Sequence, residues 1–146
     1  MRIWKQTVDL ATLNAWSART LMHTLDIRIT EIGDDYLRGT MPVDDRTRQP
    51  YGILHGGASV ALAETLGSTA AMLCCEDGVA TVGLEINANH LRALREGVVT
   101  GTARPIHVGR NTQVWEIRIE NEAGKLICIC RLTMAVVAGN AFALRK

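Results

Sequence analysis

A chain of 146 residues has the length of one domain, and 47% apolar against 21% charged residues excludes a disordered polymer. A net charge of +1 supplies no field that would gather nucleic acid or an anionic membrane surface. No uncharged apolar stretch approaches the ~20 residues needed to cross a bilayer, so neither nucleic acid nor membrane is expected as a partner.

From the N-terminus, Met1 to Gln6 lacks the apolar core of a signal peptide, and a cytoplasmic location is expected. Asp9 is placed to cap a short helix through Ala15, with Leu10, Leu13 and Trp16 on one face. From Leu25 the period becomes two: Leu25, Ile27, Ile29 and Ile32 alternate with polar residues, which predicts a strand ending at Gly33-Asp34-Asp35. Tyr36 to Val43 forms its hairpin partner, and Asp44 to Pro50 is a polar loop. A long helix follows from about Gly56 to Cys75, apolar on nearly every side and therefore expected to be buried. Strands are expected over Val79 to Leu91, Gly97 to His107, Thr112 to Glu120 and Lys125 to Ala138. In Thr112 to Glu120 the alternation sorts Val114, Glu116 and Arg118 from Trp115, Ile117 and Ile119. Asn121-Glu122-Ala123-Gly124 is the turn before the last strand, and residues 140–146 read as a frayed tail. About six strands around one long helix define a single α+β domain with an antiparallel sheet. Cys74, Cys75, Cys128 and Cys130 form an adjacent pair and a C-x-C, which is not zinc spacing; they read as reduced small hydrophobes, with no metal.

Glu64 is the one acid inside the long helix. An ionised carboxylate in a core costs several kcal/mol unless it is paired, and the i±3 and i±4 positions, Val60, Ala61, Gly67 and Ser68, hold no base. Ser68 lies one turn on and can offer a hydroxyl, while Gly67 leaves room beside the acid for a ligand or another chain. Two readings stay open: a carboxylate at a gap in the packing or paired with a distant arginine, and a carboxylate that does chemistry. At the helix start, His55-Gly56-Gly57 presents uncrowded N–H groups and the positive end of the dipole, either as a tight turn or as an oxyanion site. Gly56 and Glu64 are eight residues apart, about 12 Å at ~1.5 Å per residue, too far to serve one carbonyl together. If both act in one reaction, Glu64 must meet the helix start of a second copy in a symmetric dimer.

The run Gln49-Pro50-Tyr51-Gly52-Ile53-Leu54-His55-Gly56-Gly57-Ala58-Ser59, followed by Ala63-Glu64 and Gly67-Ser68, resembles hotdog-fold acyl-CoA thioesterases. The likeness is to the branch with hydroxybenzoyl-CoA, dihydroxynaphthoyl-CoA and enterobactin proofreading thioesterases. It extends through Val82 to His90, Val114-Trp115 and Arg131-Leu132-Thr133. The resemblance implies a curved sheet around a central helix, in dimers that pair into tetramers. It implies Glu64 as nucleophile or general base, the Gly56 amide as oxyanion donor with help from Gln49 and His55, and Ser68 orienting the water. It further implies that CoA lies along Gly83, along His90, Leu91, Arg92 and Ala93, and along His107, Val108, Gly109, Arg110, Asn111 and Thr112. His90, Arg92 and Arg110 are donors suited to its phosphates, with Arg95 and Arg104 assisting. The implied substrate is an aromatic or hydroxyaromatic acyl-CoA, with an acyl or aryl carrier protein as a further partner; no cofactor is required, since CoA belongs to the substrate. Tyr51 stands where the family pattern has Phe. The alternatives are a hotdog hydroxyacyl-thioester dehydratase using His55 and Glu64, and a non-catalytic acyl-CoA binding protein.

Overall fold

The computed structural model describes residues 1–139; the expected frayed tail, 140–146, lies outside the described residues. Helix α1 (Leu10–Ala15) starts where expected, with the Thr12 N–H donating to Asp9 Oδ1 at 2.7 Å. A second helix, α2 (Leu21–Thr24), occupies residues read as a connection. Leu25 caps α2 and Asp26 has φ 53°, so the first strand begins only at β1 (Arg28–Ile32). Four residues are one helical turn, too short for a periodic signal to register. Then follow β2 (Leu37–Pro42), the long helix α3 (Gly56–Leu73), β3 (Val79–His90), β4 (Val98–Val108), β5 (Thr112–Glu120) and β6 (Leu126–Ala138).

The strands form one antiparallel sheet in the order β1-β2-β4-β5-β6-β3. This is the six-stranded α+β hotdog arrangement, with α3 across the inner face. Its two edges are treated differently. On β1, the amide of Asn14 brackets Ile29: Oδ1 accepts its N–H at 2.9 Å and Nδ2 donates to its carbonyl at 2.8 Å. That edge is closed to further pairing. On the other edge β3 runs for 12 residues with one hydrogen-bonded neighbour, β6, and exposes Leu84.

Helix α3 is buried along one stripe and not all round. Ala58, Leu62, Ala63, Leu66, Ala70 and Leu73 are buried, whereas Val60, Ala61, Glu64 and Ser68 stay partly open. The sequence read the helix as fully buried because its open face also carries small apolar residues. All four cysteines are free and buried, as small hydrophobes should be. Burial, with Cys75 adding to it, pushes the Cys74 thiol up to about 11, which keeps it protonated and unreactive.

Helix and sheet meet over paired glycines. Gly39 and Gly101 face each other across β2 and β4, and Leu66 fills the space above them. A Cβ at Gly101 would lie 2.7 Å from Leu66 Cδ1; one at Gly39 would lie 2.7 Å from both Leu66 Cδ2 and the Arg28 carbonyl oxygen. A methyl group can be displaced by rotamer adjustment, but a strand carbonyl cannot without breaking its ladder. Gly39→Ala should therefore cost about 3 kcal/mol and Gly101→Ala about 1 kcal/mol, the latter partly offset by a less flexible unfolded chain. Urea midpoints of the two variants check the ordering; equal shifts would contradict it.

Candidate active site

The helix start is built from loop and sheet together. Gln49 lies in a turn closed by its own N–H to the Ile53 carbonyl (2.9 Å) and by the Gly52 N–H to its carbonyl (2.8 Å). Its side-chain Oε1 accepts the Tyr51 N–H, which leaves the amide NH2 free to donate outward. His55 is the N-cap of α3: its Nδ1 accepts the Gly57 N–H at 2.8 Å. Neutral His55 therefore carries its proton on Nε2, as a donor. The N–H groups of Ala58 and Ser59 turn back to the His55 carbonyl, at 3.0 and 3.2 Å. The Gly56 N–H makes no hydrogen bond among the described residues, so it is the open donor of the first turn. Gln49, Pro50, Tyr51, His55 and Gly56 line one hollow of about 380 Å³. Tyr51 stands 84% exposed at its rim, its carbonyl held by Arg95 Nη1 at 3.2 Å.

His90, the last residue of β3, comes to the same place. A Cβ built on Gly56 would sit 2.9 Å from its Nε2 and 3.0 Å from its Cε1. The sequence reading gave His90 to the CoA phosphates; the fold sets its imidazole against the first residue of α3. Gly56→Ala would favour the helix by propensity but push that ring aside and crowd the open amide. It should lower kcat/KM by about 10²-fold with an unchanged melting temperature, read by thiol release and circular dichroism.

Glu64 and Ser68 lie elsewhere on α3, Glu64 against β3 and Ser68 against β6. The carboxylate rests on the backbone of Gly83: a Cβ there would lie 2.7 Å from Glu64 Oε1. Gly83 adjoins a register shift in the β3–β6 ladder, so the strand bulges where the acid meets it. Glu64 is half-buried and makes no hydrogen bond or ion pair among the described residues. Ser68 does not reach it; its hydroxyl faces Met134 Sδ at 3.7 Å, a weak acceptor that leaves the oxygen able to hold water. Gly67 does not make room beside the acid either. It is buried, and a Cβ there would meet Leu132 Cδ2 at 2.6 Å, so its role is close packing on β6.

The expected CoA segments fall at opposite ends of the sheet. His90 pairs with Cys128, whereas Thr112 pairs with Ala135, which pairs with Val82. His90 and Val82 are eight strand residues apart, about 27 Å at ~3.4 Å per residue. Leu91, Arg92 and Ala93 continue from His90 over the helix start, anchored by the Leu91 N–H to the Ile127 carbonyl (2.8 Å) and the Leu54 N–H to the Leu94 carbonyl (2.7 Å). His107, Val108, Gly109, Arg110, Asn111 and Thr112 form the β4–β5 turn at the Glu64 end, closed by the Gly109 N–H to the Thr112 carbonyl at 2.9 Å. Arg104 pairs with Asp35 at 2.8 Å and covers the Tyr36 ring at 4.6 Å. Each chain thus presents free donors at the start of α3 and, separately, a carboxylate without a partner among the described residues.

Comparison with known proteins places the chain in a family. Residues 51–128 match the model of the family described as the thioesterase superfamily. The chain is 54% identical over 135 residues to a 1,4-dihydroxy-2-naphthoyl-CoA hydrolase of Escherichia coli, covering 92% of this chain and 99% of the relative. It is 53% identical over 135 residues to the proofreading thioesterase EntH of Cronobacter turicensis, covering 92% and 98%. A crystal structure of a Haemophilus influenzae thioesterase superposes with a TM-score of 0.92 at 53% identity, over 93% of this chain and 95% of that one.

Proposed function

The chain belongs to the thioesterase superfamily and is a thioester hydrolase, and we propose that it cleaves an aromatic or hydroxyaromatic acyl-CoA in sites shared between two copies. The observation that carries this reading is the position of Glu64, a half-buried carboxylate with no partner among the described residues, set against the edge strand β3. Two β3 edges pairing antiparallel would continue the sheet across a two-fold axis and set the helices side by side. The acid half of one copy then faces the donor half of the other. The same operation would bring the β4–β5 turn of one chain toward His90 to Ala93 of its partner, which the separation along a single sheet forbids within one chain.

In this assembly the Gly56 N–H, His55 Nε2–H and Gln49 amide receive the developing oxyanion. Glu64 of the other copy attacks the carbonyl or removes a proton from the water that does, and Ser68 steadies that water. Preference for an aromatic acyl group follows the relative that acts on dihydroxynaphthoyl-CoA. The enzyme works in the cytoplasm, without a cofactor, as a dimer that pairs into a tetramer, and accepts the acyl group from CoA or from a carrier protein. Thiol release across aromatic and aliphatic acyl-CoA and carrier-protein thioesters tests the substrate class: kcat/KM should be highest for the aromatic set, and a clear aliphatic preference would reject it. Enoyl absorbance from a 3-hydroxyacyl-CoA, without thiol release, would instead identify a dehydratase.

A further inference from the structure

We infer that His90 is the proton donor to the departing thiolate, acting in the same protomer whose Gly56 holds the thioester carbonyl; the inference rests on the hydrolase site described above. The hollow ahead of α3 already holds three donors for the carbonyl oxygen. Gly56 offers its open N–H, His55 its Nε2–H because Nδ1 is engaged by Gly57, and Gln49 its NH2 because Oε1 is engaged by Tyr51. A carbonyl oxygen has two lone pairs and needs no fourth donor.

The imidazole of His90 is not so engaged: it makes no hydrogen bond among the described residues and is exposed. Its Nε2 lies 2.9 Å from where a Cβ on Gly56 would stand. Cβ positions on a helix tilt toward the N-terminus, so this nitrogen borders the space ahead of the first turn that the Gly56 N–H faces. With the carbonyl oxygen on that amide, a thioester bound with its sulfur on this flank brings the leaving group to Nε2. The backbone that carries the ring is held by the ladder pair His90–Cys128 and by the Leu91 N–H to Ile127 bond that follows it.

The step balances with water alone. The water oxygen bonds to the carbonyl carbon and its proton passes to Glu64. The C–S bond breaks, its electron pair goes to sulfur, and sulfur takes the Nε2 proton of the His90 imidazolium, which becomes neutral imidazole. The proton on Glu64 returns to the imidazole through solvent, and the products are a carboxylic acid and a thiol.

The test measures His90→Ala, His90→Gln and Glu64→Gln on an aromatic acyl-CoA and on the thionitrobenzoate thioester of the same acid, whose aryl thiolate leaves without a proton. On acyl-CoA both His90 variants should lose about 10²-fold in kcat with little change in KM. His90→Gln keeps an N–H but has no proton to release, so it should do no better than His90→Ala. On the aryl thioester the loss should shrink to about threefold or less, and added imidazole should restore part of the acyl-CoA turnover of His90→Ala. A change confined to KM would make His90 a CoA contact. A kcat loss equal on both thiols, or one that imidazole does not relieve, would make it structural. Any of these overturns the inference. Glu64→Gln should be equally impaired on both thioesters, since water must be activated whatever leaves; full activity there would reject the underlying site and not merely the role of His90.

Discussion

Replacing Glu64 with Gln is expected to lower kcat on the best acyl-CoA by about 10⁴-fold, at the upper end of what a positioned base contributes. Gln keeps the shape of the side chain and its contact with the Gly83 backbone, but it can neither attack a carbonyl nor hold a proton from water. The fold should tolerate the change well. Glu64 makes no hydrogen bond or ion pair among the described residues, so its removal strands no partner. A half-buried, unpaired carboxylate is itself unfavourable, so the urea midpoint of Glu64→Gln should equal or slightly exceed that of the wild type. This combination, activity abolished and stability kept or raised, is what a group retained for chemistry produces. Glu64→Asp withdraws the carboxylate by one methylene from its place over the β3 bulge and should cost about 10²-fold. Thiol release and denaturation measured on the same preparations decide the matter, and a Glu64→Gln enzyme with near wild-type kcat would remove Glu64 from the mechanism.

What the sequence made legible was whatever depends on near neighbours. The alternation of Thr112 to Glu120 put Trp115, Ile117 and Ile119 on one face, and all three are fully buried. The Asp9 cap and the start of α3 at Gly56 were equally plain, because a cap is read from adjacent residues. What the sequence did not announce shares a physical cause. Gly67 was assigned to open space beside Glu64, yet Leu132, 65 positions along the chain, fills it. Arg104 was read as an assisting phosphate donor, and in the fold Asp35 and the Tyr36 ring, in the β1–β2 turn beside its strand, engage it. His90 was read as a donor to the CoA phosphates, and the β3 register and the crossing of α3 set its ring beside Gly56 as well, which the sequence did not announce. No local signal announces such contacts, since register between distant strands is a property of the whole sheet.

The separation of the two half-sites leads to the second large effect. Glu64→Gln lacks the acid but keeps the donors; Gly56→Ala keeps the acid but has a crowded helix start. Neither homodimer should turn over appreciably. In a heterodimer one site combines the intact helix start of the first chain with the intact acid of the second, and the other site collects both defects. Random reassortment of equal amounts yields heterodimers as about half of the dimers, each with one working site of two, so co-refolded or co-expressed mixtures should recover about a quarter of wild-type activity. Against parents reduced by 10² or more, that is at least a twentyfold gain on mixing two damaged proteins. Gln49→Ala in place of Gly56→Ala gives a second pair that leaves the packing of His90 untouched, so recovery does not depend on one variant folding well. A site complete within one chain would show no recovery in either pair, because every chain would carry its own lesion. That outcome would separate the unpaired β3 edge from catalysis and leave Glu64 without the second carbonyl-binding surface its position requires.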